Sequence, residues 1–328
     1  MRAIVQTDTG SPDVLQLTEV PDPVPGPDDL LVDVAHAGVN FIDTYRRSGQ
    51  YPIDLPHTPG TEGAGTVAAV GANVTGWSAG DPVAYAAGPG AYAEKAIVPA
   101  AVALPVPDGL SLDVAAALPL QGMTAHYLVD GASHVTDGST VLLTAAAGGV
   151  GLLVTQLASA RGARVLALVG APEKEELARA AGAAEAIRYR ELDDLSAELP
   201  ALVRELTDGR GVDISLDGVG KDTFDASLAS LRTRGTLVLF GAASGPVPPF
   251  DLQRLNSAGS VFVTRPSIGH YTSDREERRW RWQSVAEPAS RGDLDVRIGH
   301  RFPLAQAADA HRAIESGTTT GKILLDVA

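Results

Sequence analysis

Over the first third of the chain, short apolar runs alternate with turn residues. "LLVDVAHAGV" and "GTVAAVG" read as strands joined by Pro- and Gly-containing turns. The opening "MRAIVQTDTGSPDVLQL" reads as a first strand around Ala3 and Val5, then a turn at Gly10-Ser11-Pro12. From residue 121 to 265 the pattern changes to strand and helix in alternation. "TVLLTAAAGG" is an apolar run of strand length ending in small residues. "VGLLVTQLASARG" then places Val150, Leu153, Val154, Leu157 and Ala158 at i, i+3, i+4, i+7 and i+8. That spacing predicts a helix with one buried face, closed by Gly162. "ARVLALVG" predicts a second buried strand, and "PEKEELARAAG" a second helix running from Pro172 to Gly182. "AEAIRY", "VDISLDGVG" and "RGTLVLFGAASG" supply further strands. Such alternation implies a parallel sheet covered on both faces, and the fold class is α/β. "LDDLSAELPALVRELTDG" (192–209) is acidic but periodic, so it reads as helix surface, with Pro200 at a first-turn position of its second half. Residues 266–328 return to a mixed pattern and end in the strand "KILLDV".

The chain has 328 residues, more than one compact core usually serves. The expected division is 1–120, 121–265 and 266–328, with the middle segment a domain inserted into the other. No window approaches about 18 uninterrupted apolar residues, so no membrane span is expected. No long apolar segment follows Arg2, so the start does not read as a secretory signal. There is no cysteine, which excludes disulfides, thiol nucleophiles and cysteine-ligated zinc. These features lead to the expectation of a cytoplasmic protein. The formal charge of −14 argues against nucleic acid and anionic membranes as partners. The one basic run, "DREERRWRWQ" (274–283), alternates its signs. It reads as a solvated helix that buries its aromatic side and is capped by Ser273-x-x-Glu276, although its tryptophans could stack on single-stranded RNA.

The junction after the first middle strand carries Ala145-Ala146-Ala147-Gly148-Gly149-Val150-Gly151. In the dinucleotide loop G-x-G-x-x-G, Gly148 and Gly151 are the second and third glycines, and Ala146 replaces the first. Gly148 lets backbone approach a pyrophosphate, Gly151 lets the helix pack on the strand, and the helix N-terminus offers free N–H groups. A glycine triplet alone also fits a tight β–α turn; the flanking strand, helix and strand favour the cofactor reading. NAD-binding folds place an acid at the end of the second strand to bind the ribose 2′-OH. Here that end is Val169-Gly170-Ala171, with Lys174 next and Tyr189-Arg190 ending the following strand. The missing acid and nearby cations favour NADPH, unless Lys174 merely pairs with Glu173 or Glu176.

"GTEGAGTVAAVGANV" fits G-x-E-x-x-G-x-x-x-x-x-G-x-x-V through Gly60, Glu62, Gly65, Gly71 and Val74. With "GVNFIDTYRRSGQYP" (38–52), "LQGMTAHYL" (120–128), "AAAGGVG" (145–151), "DGVGKDTF" (217–224), "FGAASG" (240–245) and "VTRPS" (263–267), the chain resembles the medium-chain dehydrogenase/reductase superfamily. Within it, the chain resembles the zinc-free, ζ-crystallin-like quinone oxidoreductases over essentially its whole length. The resemblance implies a GroES-like distorted β-barrel domain and a Rossmann domain. Zinc members use Cys, His and Cys or Asp ligands, whereas this chain has Thr61 at the His position. Glu62 reads as a buried, paired structural carboxylate. Without a metal to polarise an alcohol or carbonyl, hydride transfer favours acceptors that already take electrons well, such as quinones and activated enones.

The resemblance also implies a substrate cleft between the domains, over the nicotinamide. It makes Asn40 the candidate to hydrogen-bond nicotinamide or a substrate oxygen, or else a loop-shaping residue. Tyr45 and Tyr51 can donate to a developing oxyanion or simply pack under the loop. Asp43 is given no chemistry. Gln121, Thr124 and Tyr127 fall in a stretch that relatives place against the nicotinamide. Ala147, Gly148, Gly149, Val150, Gly151, Gly170, Lys174 and Tyr189 complete the cofactor loop and its 2′ end. Gly218, Phe240, Gly241 and Ser244 lie at the sheet's carboxyl edge, where ligands bind. Arg265 reaches cofactor or substrate, or else makes a salt bridge. Lys322 resembles a lysine near the 2′-phosphate, or else is an exposed lysine at a strand start. The implied activity is NADPH:quinone reduction without metal, in a homodimer joined through an edge strand "SVFVT" (260–264). The alternatives are an enone or alkenal C=C reductase, a non-catalytic NADPH- or RNA-binding protein and, last, a remnant alcohol dehydrogenase.

Overall fold

The computed structural model describes residues 1–86 and 90–327. Two compact units emerge: Met1–Met123 with Thr272–Ala328, and Thr124–Tyr271. The first segment holds β1 (Arg2–Val5), β2 (Gln16–Glu19), β3 (Asp29–Val39), β4 (Glu62–Val70), β5 (Pro82–Ala86), β6 (Lys95–Pro99) and β7 (Leu104–Pro105). The middle segment holds β8 (Thr140–Leu143), β9 (Arg164–Val169), β10 (Glu185–Arg188), β11 (Val212–Asp217), β12 (Leu231–Leu239) and β13 (Phe262–Thr264). The last holds β14 (Ile298–Pro303) and β15 (Lys322–Asp326).

In the first unit the order β14-β15-β3-β4-β5-β7, with β6 also on β3, makes one sheet. β3 alternates at first: Leu30, Val32 and Val34 are buried while Asp33 is exposed. The β3–β4 register shifts between Val34 and His36, and beyond it Ala37 to Asn40 are all buried. A shift of this kind bends a strand and re-aims its end. Here it carries Asn40 inward, next to the start of β4. The core around it includes Leu30, Val32, Val67, Tyr85, Tyr92, Ile323 and Leu325.

The second unit is a six-stranded sheet in the order β10-β9-β8-β11-β12-β13, with every pair parallel. Strands buried on both faces read as unbroken apolar runs, which is why β8 and β9 are plain in sequence. The chain leaves β8 for β9 on one side and returns to β11 on the other. That reversal is where such sheets bind dinucleotides.

Several local expectations are corrected. In the helix Gly149–Ala160, Val150 and Leu157 are only half-buried, while Leu152 and Thr155 join the buried set. Pro200 lies inside one continuous helix, Leu195–Leu206, because Asp194 caps that helix by accepting from Ser196 N and Ala197 N. The basic helix is Arg275–Arg291, capped by Asp274 rather than Ser273, with the Glu277 N–H donating to the Asp274 carboxylate. It buries Trp282 but leaves Trp280 exposed. By its contacts the second unit extends to Tyr271, which stacks on Tyr127 with ring centroids 4.5 Å apart. Its start, Thr124, falls inside the helix Pro119–Tyr127.

Candidate active site

In the second unit, the turn after β8 tightens through Ala145, held at φ +51, and Gly148 caps the helix that follows. A Cβ on Gly151 would lie 2.4 Å from the Ala145 carbonyl oxygen, so only glycine lets helix and strand meet this closely. A Cβ on Gly148 would meet that oxygen at 3.2 Å, a tight but yielding contact, so packing alone does not compel glycine there. The N–H groups of Gly149, Val150 and Gly151 open the helix, where no earlier carbonyl is in register to accept them. Ala147 is buried behind them.

At the end of β9, Gly170 faces Tyr189 and Arg190: a Cβ there would lie 3.4 Å from Arg190 Nε and from the Tyr189 ring. Tyr189 begins a short 3₁₀ turn rather than ending β10. The Lys174 ammonium is held below the usual lysine range, first by burial and then by the charge of Arg190. Gly170, Lys174, Tyr189 and Arg190 therefore converge on one electropositive spot. Arg190, read in the sequence only as a nearby cation, belongs to it.

At the ends of β11 and β12 two loops nearly touch. A Cβ on Gly241 would lie 2.2 Å from the Gly218 carbonyl oxygen, and one on Gly218 would meet the Phe240 ring at 2.7 Å. The Ser244 hydroxyl donates to Val219 O (2.9 Å) and accepts from Asp222 N (3.0 Å), so it ties these loops together. Asp217, missed in the sequence, is the buried hub beneath. It accepts from Thr144 Oγ1, Val219 N, Gly220 N, Thr223 Oγ1 and Ser227 Oγ at 2.7–3.2 Å. Its signal was a lone acid ending an apolar strand before glycine. Arg265 is exposed and donates to Pro266 O (3.3 Å). Thr124 is buried, as is Tyr127, with one ring face against Tyr271.

In the first unit the polar centre is Asn40, Glu62 and Lys322. Lys322 Nζ donates to Glu62 Oε2 and to Asn40 Oδ1, the latter at 2.8 Å. Asn40 Nδ2 donates to Glu62 Oε2 (2.8 Å), and Leu120 N donates to Glu62 Oε1 (2.6 Å). Gln121 Nε2 reaches Asn40 Oδ1 at 3.4 Å. Glu62 thus has the structural pairing expected of it. Lys322 is neither an exposed strand-start lysine nor a cation left for a phosphate. It is 1% exposed, and two buried oxygens take its charge. With Nδ2 also 3.4 Å from Gly38 O, the Asn40 amide uses both donors and both lone pairs inside this unit. Asn40 therefore orients its neighbours, and a ligand could reach it only by displacing one of the 3.4 Å partners.

A second buried chain adjoins the first. Asp43 accepts from Asn40 N (2.9 Å), Thr61 Oγ1 (3.2 Å) and Tyr92 OH (3.3 Å), and Tyr92 OH lies 3.1 Å from His311 Nε2. Burial pushes the Asp43 carboxyl up to about 6 and the His311 imidazole down to about 3. Tyr45 and Tyr51 meet edge to face at 5.6 Å; Tyr45 is half-buried and Tyr51 exposed.

This donor set does not fit zinc. Among the described residues no three His, Cys, Asp or Glu side chains gather to hold a metal. Thr61 spends its hydroxyl on Asp43, and Lys322 places a positive charge beside Glu62.

Comparison with known proteins agrees with both halves. A family model described as an alcohol dehydrogenase GroES-like domain matches residues 26–108, and one described as a zinc-binding dehydrogenase matches 149–282. The chain is 42% identical to a quinone oxidoreductase of Pseudomonas aeruginosa over 318 residues, 96% of each chain. It is 38% identical over 324 residues to a 2-haloacrylate reductase of a Burkholderia species, again 96% of each. Among solved structures it is similar to mycobacterial Rv1454c complexed with NADPH, at 49% identity and TM-score 0.97, with both chains fully covered.

Proposed function

We propose that this chain, which belongs to the quinone oxidoreductase branch of the medium-chain dehydrogenase/reductase superfamily, is an NADPH:quinone reductase that works without a metal. The observation that carries the cofactor is the cluster of Gly170, Lys174, Tyr189 and Arg190 at the end of β9, where an NAD-binding fold would place an acid. There a guanidinium and an ammonium suit a 2′-phosphate. The amides opening the helix Gly149–Ala160 take the pyrophosphate. Gly218, Phe240, Gly241 and Ser244 border the nicotinamide half, with Gln121, Thr124, Tyr127 and Arg265 as further contacts. When bound, NADPH supplies a hydride from its C4.

The chain's part is to hold, orient and shield. Asn40, locked between Lys322 and Glu62, fixes the polar wall, while Tyr45 and Tyr51 offer hydroxyls and a flat surface to a planar acceptor. Quinone, hydride and one proton balance as hydroquinone, and the proton comes from water or a tyrosine. The edge strand β13 leaves Phe262 62% exposed, which supports a homodimer joined edge to edge. No helix among the described residues is long and apolar enough to cross a membrane.

The relation to a 2-haloacrylate reductase favours a second reading, reduction of an activated C=C bond. Oxidation of NADPH followed at 340 nm with 1,4-benzoquinone, 2-chloroacrylate and 2-cyclohexenone separates the two. Quinone turnover with NADPH well above that with NADH is expected. Turnover confined to the alkenes moves the function to C=C reduction. Equal use of NADH overturns the cofactor assignment.

A further inference from the structure

The second unit has a polar hollow of about 320 Å³ at the amino ends of its strands, the sheet edge opposite the glycine loop. Three turns line it: 133–139 before β8, 210–214 entering β11, and 232–236 early in β12. Its volume is at the small end of metabolite pockets, roughly 300–1,000 Å³.

Two rim residues hold left-handed backbone, His134 at φ +53 and Arg234 at φ +58. Glycine would make these turns without strain, yet a histidine and an arginine stand there. Among the described residues, Ala145 of the cofactor loop is another of the few side-chain-bearing residues so held. Strain of this kind gathers where a site requires a particular side chain.

The charges have a direction. Asp213 accepts both ends of the Arg210 fork (2.9 and 2.8 Å), Arg232 Nε (2.6 Å) and Thr140 N (2.8 Å). One carboxylate thus answers two guanidiniums. Arg234 adds a third, with no ion pair among the described residues. The other acid on the lining, Asp137, turns its carboxylate onto the Gly162 backbone, where a Cβ would lie 2.2 Å from Oδ1. Three guanidiniums against two carboxylates leave the hollow positive in a chain of net charge −14.

The geometry points to a binding site, separate from the cofactor site, for a small dianion, either a phosphate monoester or a dicarboxylate. Arg234 and the Nη2 end of Arg232, whose Nη1 already donates to Thr233 O (2.7 Å), grip its oxygens, and His134 closes the rim. The guanidinium fork suits both oxyanions and an ammonium would not serve as well.

Calorimetric titration of the whole protein with inorganic phosphate, and separately with malonate, tests this. Sodium chloride at matched ionic strength is the control. The phosphate end of the cofactor site must be kept apart, so wild type is titrated with excess NADPH, and the variant Lys174→Ala/Arg190→Ala is titrated without it. Arg234→Gly removes the cation and relieves the left-handed strain, so its melting temperature should hold or rise. Saturable binding of phosphate or malonate is expected, unchanged in the Lys174/Arg190 variant and weakened at least about tenfold in Arg234→Gly. The stronger of the two ligands identifies the class. No binding by wild type, the same heat from chloride, equal affinity in Arg234→Gly, or binding lost only with Lys174 and Arg190 would each overturn the site.

Discussion

Replacing Asp43 with asparagine asks whether a buried carboxyl titrates near neutral pH. Asp43 is the third residue of the helix Phe41–Arg47 and is almost wholly buried. Burial raises its carboxyl from 3.8 to about 6, and the Asn40 N–H, the Lys322 charge, the Thr61 hydroxyl and Arg46 offset only part of that. The folded state then holds this proton more tightly than the unfolded chain. Its contribution to stability is complete below pH 3.8 and is lost as pH rises through about 6. The gap amounts to about 3 kcal/mol, at about 1.36 kcal/mol per pH unit, and roughly half of it is lost between pH 5 and 8. His311 works the other way. Its folded value of about 3 lies below 6.5, so its contribution is lost as pH falls below 6.5. The comparison is therefore made in a His311→Gln background, which removes that second titration. Urea unfolding is measured at steps from pH 5 to 8 with and without Asp43→Asn. Asparagine has one acceptor oxygen for three donors, which adds a pH-independent cost of about 1–2 kcal/mol. On top of this offset, the protein that keeps Asp43 should lose about 1.4 kcal/mol relative to the Asp43→Asn variant from pH 5 to 8. Parallel curves would show that Asp43 keeps one protonation state throughout. A relative gain for Asp43 at high pH would show that Lys322 and the three donors outweigh burial.

Lys322→Met should destabilise the protein by about 3–5 kcal/mol by leaving Glu62 charged and unpaired, and adding Glu62→Leu should recover much of that loss in denaturant unfolding. Lys174→Ala/Arg190→Ala should raise KM for NADPH by about tenfold or more and leave NADH kinetics unchanged. Gly151→Ala should destabilise the protein in denaturant unfolding far more than Gly148→Ala does, because its Cβ would meet the Ala145 carbonyl oxygen at 2.4 Å rather than 3.2 Å. Dialysis against EDTA should leave quinone turnover unchanged, and a loss restored by zinc would overturn the metal-free reading.

Legibility followed the range of the interactions. β8, the glycine turn and β9 show plainly in sequence because a strand buried on both faces is a local apolar run and the turn has local steric needs. Caps were harder to read: the sequence pointed to Ser273, and the cap falls instead on its neighbour Asp274, whose carboxylate accepts from Glu277 N. Pro200 misled for a related reason, since the Asp194 cap starts the helix early enough to take the proline inside. The buried polar centre was least visible. Lys322 meets Glu62 across 260 positions because β15 pairs with β3 beside β4. Asp43, Thr61, Tyr92 and His311 come from four separate segments, so no spacing rule announces them.

The threonine at the histidine position makes sense only with that polar centre in view. A histidine at 61 would need a metal or a second partner in a space where Asp43 already binds Asn40 N, Tyr92 and Thr61. A divalent ion beside Glu62 would face the Lys322 ammonium, which already supplies the positive charge there. Two adjoining pairings are thus satisfied without an ion, the Thr61 hydroxyl on Asp43 and the Lys322 ammonium on Glu62, and reinstating a single ligand would leave the rest unsuited to it. On the function proposed above, this wall would offer a substrate fixed dipoles rather than Lewis acidity. Fixed dipoles suffice for an acceptor whose own carbonyls draw the hydride, which is the physical reason the proposal favours quinones and activated alkenes over simple alcohols and ketones.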